Sequence, residues 1–138
     1  MKLLFLLLTC VCFYECDAQK PGVNDLIGKW RVCKADAAPL VYIFSNNSEG
    51  EKGLLREWND PSVFIYKRPF TYTIAEAPKD SLTGNPVIDE NLFVMTITST
   101  TVTGKPDVQT FFVTIAGKDS MGFIVKPGFI TRYCKVAK

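Results

Sequence analysis

Hydrophobic and polar side chains alternate along most of this chain, in short runs separated by residues that favour turns. A period of two residues is the pattern of a β-strand with one buried face. The runs recur about every ten residues, which leaves no room for crossover helices and predicts an antiparallel meander, either a barrel or a sandwich. They cover residues 30–34, 40–44, 54–58, 63–66, 70–74, 92–98, 108–115, 121–125 and 129–136.

Turn-forming residues separate the runs. A turn rich in Asn, Ser and Gly is predicted at 46–50, and the longest loop at 77–86. Pro69 stands between two neighbouring runs and indicates an edge, a bend or a short corner, because proline has no N–H to give to a sheet. Before the first run, residues 20–27 can form a short helical turn over one end of the sheet, with Asp25 as its cap.

Alternation also indicates which side chains share the inner face of the sheet. A barrel of eight strands can be filled by such side chains or can hold one small ligand, and the sequence leaves both open. From this set we take Phe70, Tyr72, Phe93, Met95, Phe111 and Phe123 as the apolar lining of a ligand cavity. The whole set is Phe70, Tyr72 and Ile74; Phe93, Met95 and Ile97; Phe111, Val113 and Ile115; and Met121, Phe123 and Val125.

Arg56 shares a face with Leu54 and Trp58. If that face is internal, Arg56 is a cation in an apolar cup and needs a partner, which a ligand carboxylate would supply. On this interpretation Arg56 and Trp58 join the cavity lining. The alternative is that Leu55 faces inward and Arg56 lies in water near the rim.

The first 18 residues have the pattern of a secretory signal. A basic Lys2 precedes the apolar stretch Leu3–Leu8, and small residues end at Ala18, where we expect cleavage. The apolar stretch is too short to span a bilayer. Residues 19–138 are then one secreted, extracellular domain.

Cleavage would leave Cys33 and Cys134 as the cysteines of the mature chain. In an oxidising compartment such a pair predicts a disulfide, here one that joins the first strand to the last; two free buried thiols are the alternative. Asn46-Asn47-Ser48 is an N-glycosylation sequon at Asn46, in the predicted turn.

The composition excludes most catalytic chemistry. The chain has no His, which removes Ser-His-Asp and Cys-His catalysis and the commonest metal ligand. The formal net charge is only +2 and the basic residues are scattered, which predicts neither a nucleic-acid partner nor membrane insertion. No phosphate-binding glycine-rich loop or metal-ligand spacing occurs. We therefore expect a protein that is not an enzyme and uses no cofactor and no metal.

Gly28-Lys29-Trp30 on the first run and Thr131-Arg132 on the last resemble the signature shared by lipocalins, fatty-acid-binding proteins and avidins, the β-barrels grouped as calycins. The resemblance implies an all-β, antiparallel, up-and-down eight-stranded barrel. Its structural signature would be Gly28, Trp30 and Arg132, with the guanidinium packed across the indole. Val32 replaces the biotin-binding Asn of avidins, and the connection after the first run is too short for the two helices of fatty-acid-binding proteins. A short, divergent lipocalin-like barrel remains.

Strict alternation sets two of these expectations against each other. If Trp30 points inward, Cys33 points outward; if Arg132 points inward to meet Trp30, Cys134 points inward as well. The disulfide then needs a bulge in one strand, or Arg132 must reach Trp30 from the end of the barrel.

Two functions follow from these expectations. The first is a carrier that encloses a small hydrophobic or amphipathic ligand. The alternative is a protein-binding barrel with a filled core, an inhibitor or immune modulator that contacts a protein partner through the loop at 77–86. An immunoglobulin-type sandwich fits less well, because the cysteine pair joins the two ends of the chain.

Overall fold

The computed structural model describes residues 23–34, 39–78, 92–126 and 129–137, except the side chains of residues 125 and 126. Each strand pairs antiparallel with the next, and β1 pairs with β8, so the sheet closes into a ring. The all-β antiparallel prediction is confirmed, and the closed ring excludes the sandwich. The strands are β1 Gly28–Val32, β2 Leu40–Phe44, β3 Glu49–Glu57, β4 Asp60–Glu76, β5 Leu92–Thr100, β6 Pro106–Ile115, β7 Ser120–Lys126 and β8 Phe129–Lys135.

The predicted disulfide joins Cys33 to Cys134, with 5.1 Å between the two Cα atoms. Cys33 follows β1 and Cys134 lies in β8, so the bond fastens the two strands that close the ring. It needs no bulge. Trp30 and Tyr133 are buried on the inner face, and alternation then sends both cysteines, together with Arg132, to the outer face.

The predicted contact between Arg132 and Trp30 is wrong, because Arg132 is exposed on the outer face of β8. The cation over Trp30 is Lys135, which pairs directly with Trp30 across β1 and β8. Its Nζ lies 5.1 Å from the centroid of the indole. Gly28 makes room for this side chain: its φ is +133°, and a Cβ there would lie 2.7 Å from Lys135 Cε.

One end of the ring, which we call the closed end, is covered by a single 3₁₀ turn, Val23–Leu26. Leu26 is fully buried in the core, and its carbonyl accepts a hydrogen bond of 2.7 Å from Trp30 Nε1. Lys135 Nζ donates to the carbonyl of Asp25 at 2.8 Å. The predicted helical turn is thus confirmed over 23–26, while residues 20–22 lie outside the described residues.

Two strand boundaries differ from the predicted ones. β3 begins at Glu49, so the predicted turn at 46–50 is shorter, and the Ser45 amide donates to the Glu49 carbonyl at 2.9 Å across it. The runs at 63–66 and 70–74 form one strand, β4. Pro69 is tolerated within it because β5 pairs with β4 only from Phe70 onward, so Pro69 lies beside one neighbouring strand and needs no second ladder bond.

The end of the β3–β4 hairpin, residues 55–64, bends onto the outside of the ring; we call it the arm. Register shifts on either side of Leu55 produce the bend, as bulges do. Arg31, on the outer face of β1, donates to the carbonyl of Trp58 at 3.1 Å, and its guanidinium lies 5.0 Å from the Trp58 ring. Lys29 donates to the carbonyl of Pro61. Leu55 is fully buried although it lies outside the inner core.

Aromatic rings fill the interior. Seven of them form a connected network with centroids between 4.9 and 6.3 Å apart: Tyr42, Phe44, Phe70, Tyr72, Phe111, Phe123 and Tyr133. The predicted inner-face residues belong to the core or pack against it, except Val125, whose side chain is outside the described part. Tyr42, Phe44 and Tyr133 complete a core that the sequence predicted only in part.

Candidate functional site

A cavity of about 80 Å³ opens inside the ring toward the end opposite the closed end, which we call the far end. The far end carries the β5–β6 connection, since β5 runs away from the closed end and β6 returns to it. We call this cavity the far-end pocket. Its walls are side chains of β2 to β6: Tyr42, Lys52, Tyr66, Arg68, Phe70, Ile97, Ser99, Asp107 and Gln109.

The inner wall of the far-end pocket is apolar and closely packed. Tyr42, Phe70 and Ile97 are each at most 5% exposed, and the rings of Tyr42 and Phe70 meet edge to face with centroids 6.1 Å apart. Burial raises the pKa of Tyr42 far above its usual value. Its phenol is therefore neutral at physiological pH and gives the wall a hydroxyl without a charge.

Two cations stand opposite each other on the pocket wall. Lys52 and Arg68 are directly paired across β3 and β4, and each lies over a tyrosine ring. Lys52 Nζ is 5.5 Å from the centroid of Tyr42, and the Arg68 guanidinium is 5.5 Å from that of Tyr66. Within the described residues, no ion pair joins either cation to a carboxylate.

One carboxylate lines the same pocket. Asp107, on β6, accepts a hydrogen bond of 3.2 Å from Gln109 Nε2. Against it stand Lys52 and Arg68, so the lining carries one excess positive charge. The far-end pocket is thus a small aromatic cup with a cationic side.

The predicted lining residues are brought together, but mostly as packed core. Phe70 lines the far-end pocket. Tyr72, Phe93, Met95 and Phe123 are buried in the core cluster, and the Tyr72 hydroxyl donates to the Ser45 carbonyl at 2.8 Å. The partly buried Phe111 stacks on Phe123 with centroids 5.4 Å apart.

Arg56 and Trp58 do not line the interior. Both belong to the arm, which the bend at Leu55 carries outside the ring; Arg56 is exposed and Trp58 packs on Arg31. Asn46 is exposed in the β2–β3 turn, and its glycosylation stays a prediction. Of the predicted loop at 77–86, residues 79–86 lie outside the described part.

Sequence reasoning missed the two cations, although a signal for them exists. Arg68 stands two residues before Phe70, in step with Phe70 and Tyr72, and Lys52 stands two before Leu54. Arg68 is overlooked because the pattern appears to stop at Pro69, and Lys52 because the turn predicted at 46–50 places the start of the next strand after it.

A wider groove of about 960 Å³ runs outside the closed end, between the arm and the end of β8. Its two lysines are Lys29 and Lys135, and each donates to a backbone carbonyl, of Pro61 and of Asp25. Desolvation and the neighbouring Lys67 lower the pKa of Lys29. These cations hold parts of the fold together, which distinguishes the groove from the far-end pocket.

Comparison of the chain with known protein families, with curated proteins and with solved structures gives no match. The described part of the chain contains no helix with the length and hydropathy needed to cross a membrane. It also contains no cluster of three or more metal-ligating side chains. The far-end pocket therefore has to be interpreted from its own chemistry.

Proposed function

We propose that this chain is a secreted binding protein, a short lipocalin-like β-barrel that takes a small amphipathic ligand at the far-end pocket. The observation that carries the proposal is the asymmetry of the ring: Trp30 and Leu26 block one end, and the other end opens onto an aromatic cup with polar groups at its side. Concave apolar sites with a few convergent polar groups are the usual form of small-molecule sites. The signal-like segment before residue 19 and the disulfide support secretion.

The size of the far-end pocket limits what it encloses. A volume of 80 Å³ accommodates about three water-sized groups, whereas a drug-sized ligand needs about 300 Å³ or more. The pocket thus encloses only part of a ligand, and the rest of the molecule lies at the rim. Each Å² of apolar surface removed from water contributes about 25 cal/mol to this binding.

The test is a titration of purified, oxidised residues 19–138 with the fluorescent probe N-phenyl-1-naphthylamine. We expect saturable binding of one probe per chain. Ser99→Trp, which places a large ring in the pocket, should weaken binding at least tenfold, because it occupies the space of the ligand. Thr98→Trp is the matched control, since Thr98 is exposed on the adjacent outer-face position.

Circular dichroism and the melting temperature verify that both tryptophan variants are folded. A folded Ser99→Trp variant that binds the probe as well as Thr98→Trp would contradict the proposed site, and so would a wild-type chain that binds no probe.

A second candidate function, a protein-binding barrel with a filled core, is favoured by the aromatic network that occupies the interior. In this account the loop at 77–86 carries the contact with an inhibited or modulated protein. It becomes the better account if the chain is folded and monodisperse but binds no small probe.

A further inference from the structure

We infer that the ligand of the far-end pocket is an anion: an oxyanion head, such as a carboxylate or sulfonate, on an apolar body, held between Lys52 and Arg68. The inference rests on the proposed function and names the class of ligand. It is carried by the pairing of the two cations, by their contrast with Lys67, Lys29 and Lys135, and by the shape of the cavity.

The first step is the cross-strand pair. Lys52 and Arg68 are direct partners in the β3–β4 ladder, on the inner face that also carries Phe70. Side chains at such positions leave the backbone only about 5 Å apart, and like charges there repel. An anion placed between the two cations attracts both of them and offsets their mutual repulsion.

The second step is the contrast with three other lysines, each of which has an oxygen partner. Lys67, one residue before Arg68, meets Glu51 with 3.3 Å between Nζ and Oε2. Lys29 and Lys135 donate to backbone carbonyls. Within the described residues, neither Lys52 nor Arg68 has such an oxygen partner. Each rests only on a tyrosine ring, Tyr42 or Tyr66, at the pocket.

The third step is the balance of charge and shape. Asp107 is the one carboxylate of the pocket lining, against the two cations Lys52 and Arg68, so one positive charge remains to be matched. Tyr42, Phe70 and Ile97 offer a ring or an alkyl chain an apolar wall. A monovalent oxyanion on an apolar body satisfies both features.

Two probes with the same body test the anion. 1-Anilinonaphthalene-8-sulfonate carries a sulfonate on the skeleton of the neutral N-phenyl-1-naphthylamine. For the wild-type chain we expect the sulfonate to bind at least tenfold more tightly, because charge-assisted hydrogen bonds add to the shared apolar contact. Equal affinities would overturn the inference.

Variants locate the charge. Lys52→Gln combined with Arg68→Gln should weaken sulfonate binding at least tenfold and leave the neutral probe within twofold. Lys67→Gln removes one positive charge from the outer face of β4, next to Arg68, and should change neither affinity. Sulfonate binding that survives the double variant, or falls equally in Lys67→Gln, would refute the site.

A stability measurement separates a ligand site from a structural one. Since the pair repels in the absence of ligand, the double variant should melt at the same temperature as the wild type or higher; a clear fall would show that the pair is structural.

Different results would contradict the proposed function and the proposed anion. If neither probe binds the wild-type chain, the proposed function fails. If the neutral probe binds and Ser99→Trp blocks it while the sulfonate gives no advantage, only the anion is wrong.

Discussion

At the scale of single residues, the closure of the ring depends on which cation meets Trp30. Lys135 Nζ lies over the indole and donates to the Asp25 carbonyl, so one side chain fastens β8, β1 and the 3₁₀ turn. Lys135→Met keeps the apolar stem but removes the charge. We expect it to lower the free energy of unfolding by about 2 kcal/mol, from one charged hydrogen bond and one cation–π contact, as measured by urea unfolding.

Arg132→Gln is the matched control for this prediction. Arg132 is exposed on the outer face of the same strand, and a substitution there should change stability by less than about 0.5 kcal/mol. A larger loss from Arg132→Gln than from Lys135→Met would contradict the closure by Lys135.

Tyr133 gives the core a dependence on alkaline pH. Burial raises its pKa from 10.0 to about 12, so the folded chain holds the phenolic proton more tightly than the unfolded chain. The associated stability is fully present below pH 10 and is lost as the pH rises from 10 to 12. Between pH 8 and pH 11 the loss amounts to about 1.4 kcal/mol.

Tyr133→Phe tests this pH-dependent contribution to stability directly, because it removes the titrating hydroxyl and keeps the ring. Urea unfolding at pH 8 and pH 11 should show a smaller loss for the variant than for the wild type, by that amount. Parallel losses in the two chains would mean that Tyr133 does not titrate between the two states.

At the scale of elements, alternation predicted the strands well wherever one face is buried. β2, β5, β6 and β7 lie close to their predicted positions, because a period of two is visible in the sequence when burial alternates. Pro69 misled the interpretation of β4, since a proline signals a missing hydrogen bond but not which neighbour is missing. The pairing of β4 with its neighbours shows that the strand continues through Pro69, and this pairing cannot be read from the sequence alone.

The arm could not be predicted from alternation, for a physical reason. Its bend arises from register shifts around Leu55, and bulges interrupt the two-residue period on which the prediction depends. Alternation therefore left an inner-face position open for Arg56 and Trp58, although the bend carries them outside. The same dependence explains the far-end pocket: Lys52 and Arg68 are recognised as a pair only when the register of β3 and β4 is known.

At the scale of the whole molecule, the ring is closed by a short contact between β1 and β8. Pairing of β1 with β8 spans only Trp30 to Val32, whereas β5 and β6 pair along nearly their whole length. The disulfide lies beside this short contact and spans a sequence separation of 101 residues. Because the β1–β8 contact is short and the disulfide closes a long loop of the chain, we expect the disulfide to contribute most to keeping the ring closed.

Replacing Cys33 and Cys134 by Ala should therefore lower the free energy of unfolding by about 4 to 5 kcal/mol, the chain-entropy value for a loop of this length. Both cysteines lie on the outer face, so the smaller side chains disturb the inner core little. Urea unfolding measures the loss, and the reduced wild-type chain should match the variant.

Hydrogen exchange should accelerate more at the amides of β1 than at those of β5 and β6, because removal of the bond permits a local opening at β1. Uniform acceleration across all strands would show that the ring opens only by unfolding as a whole.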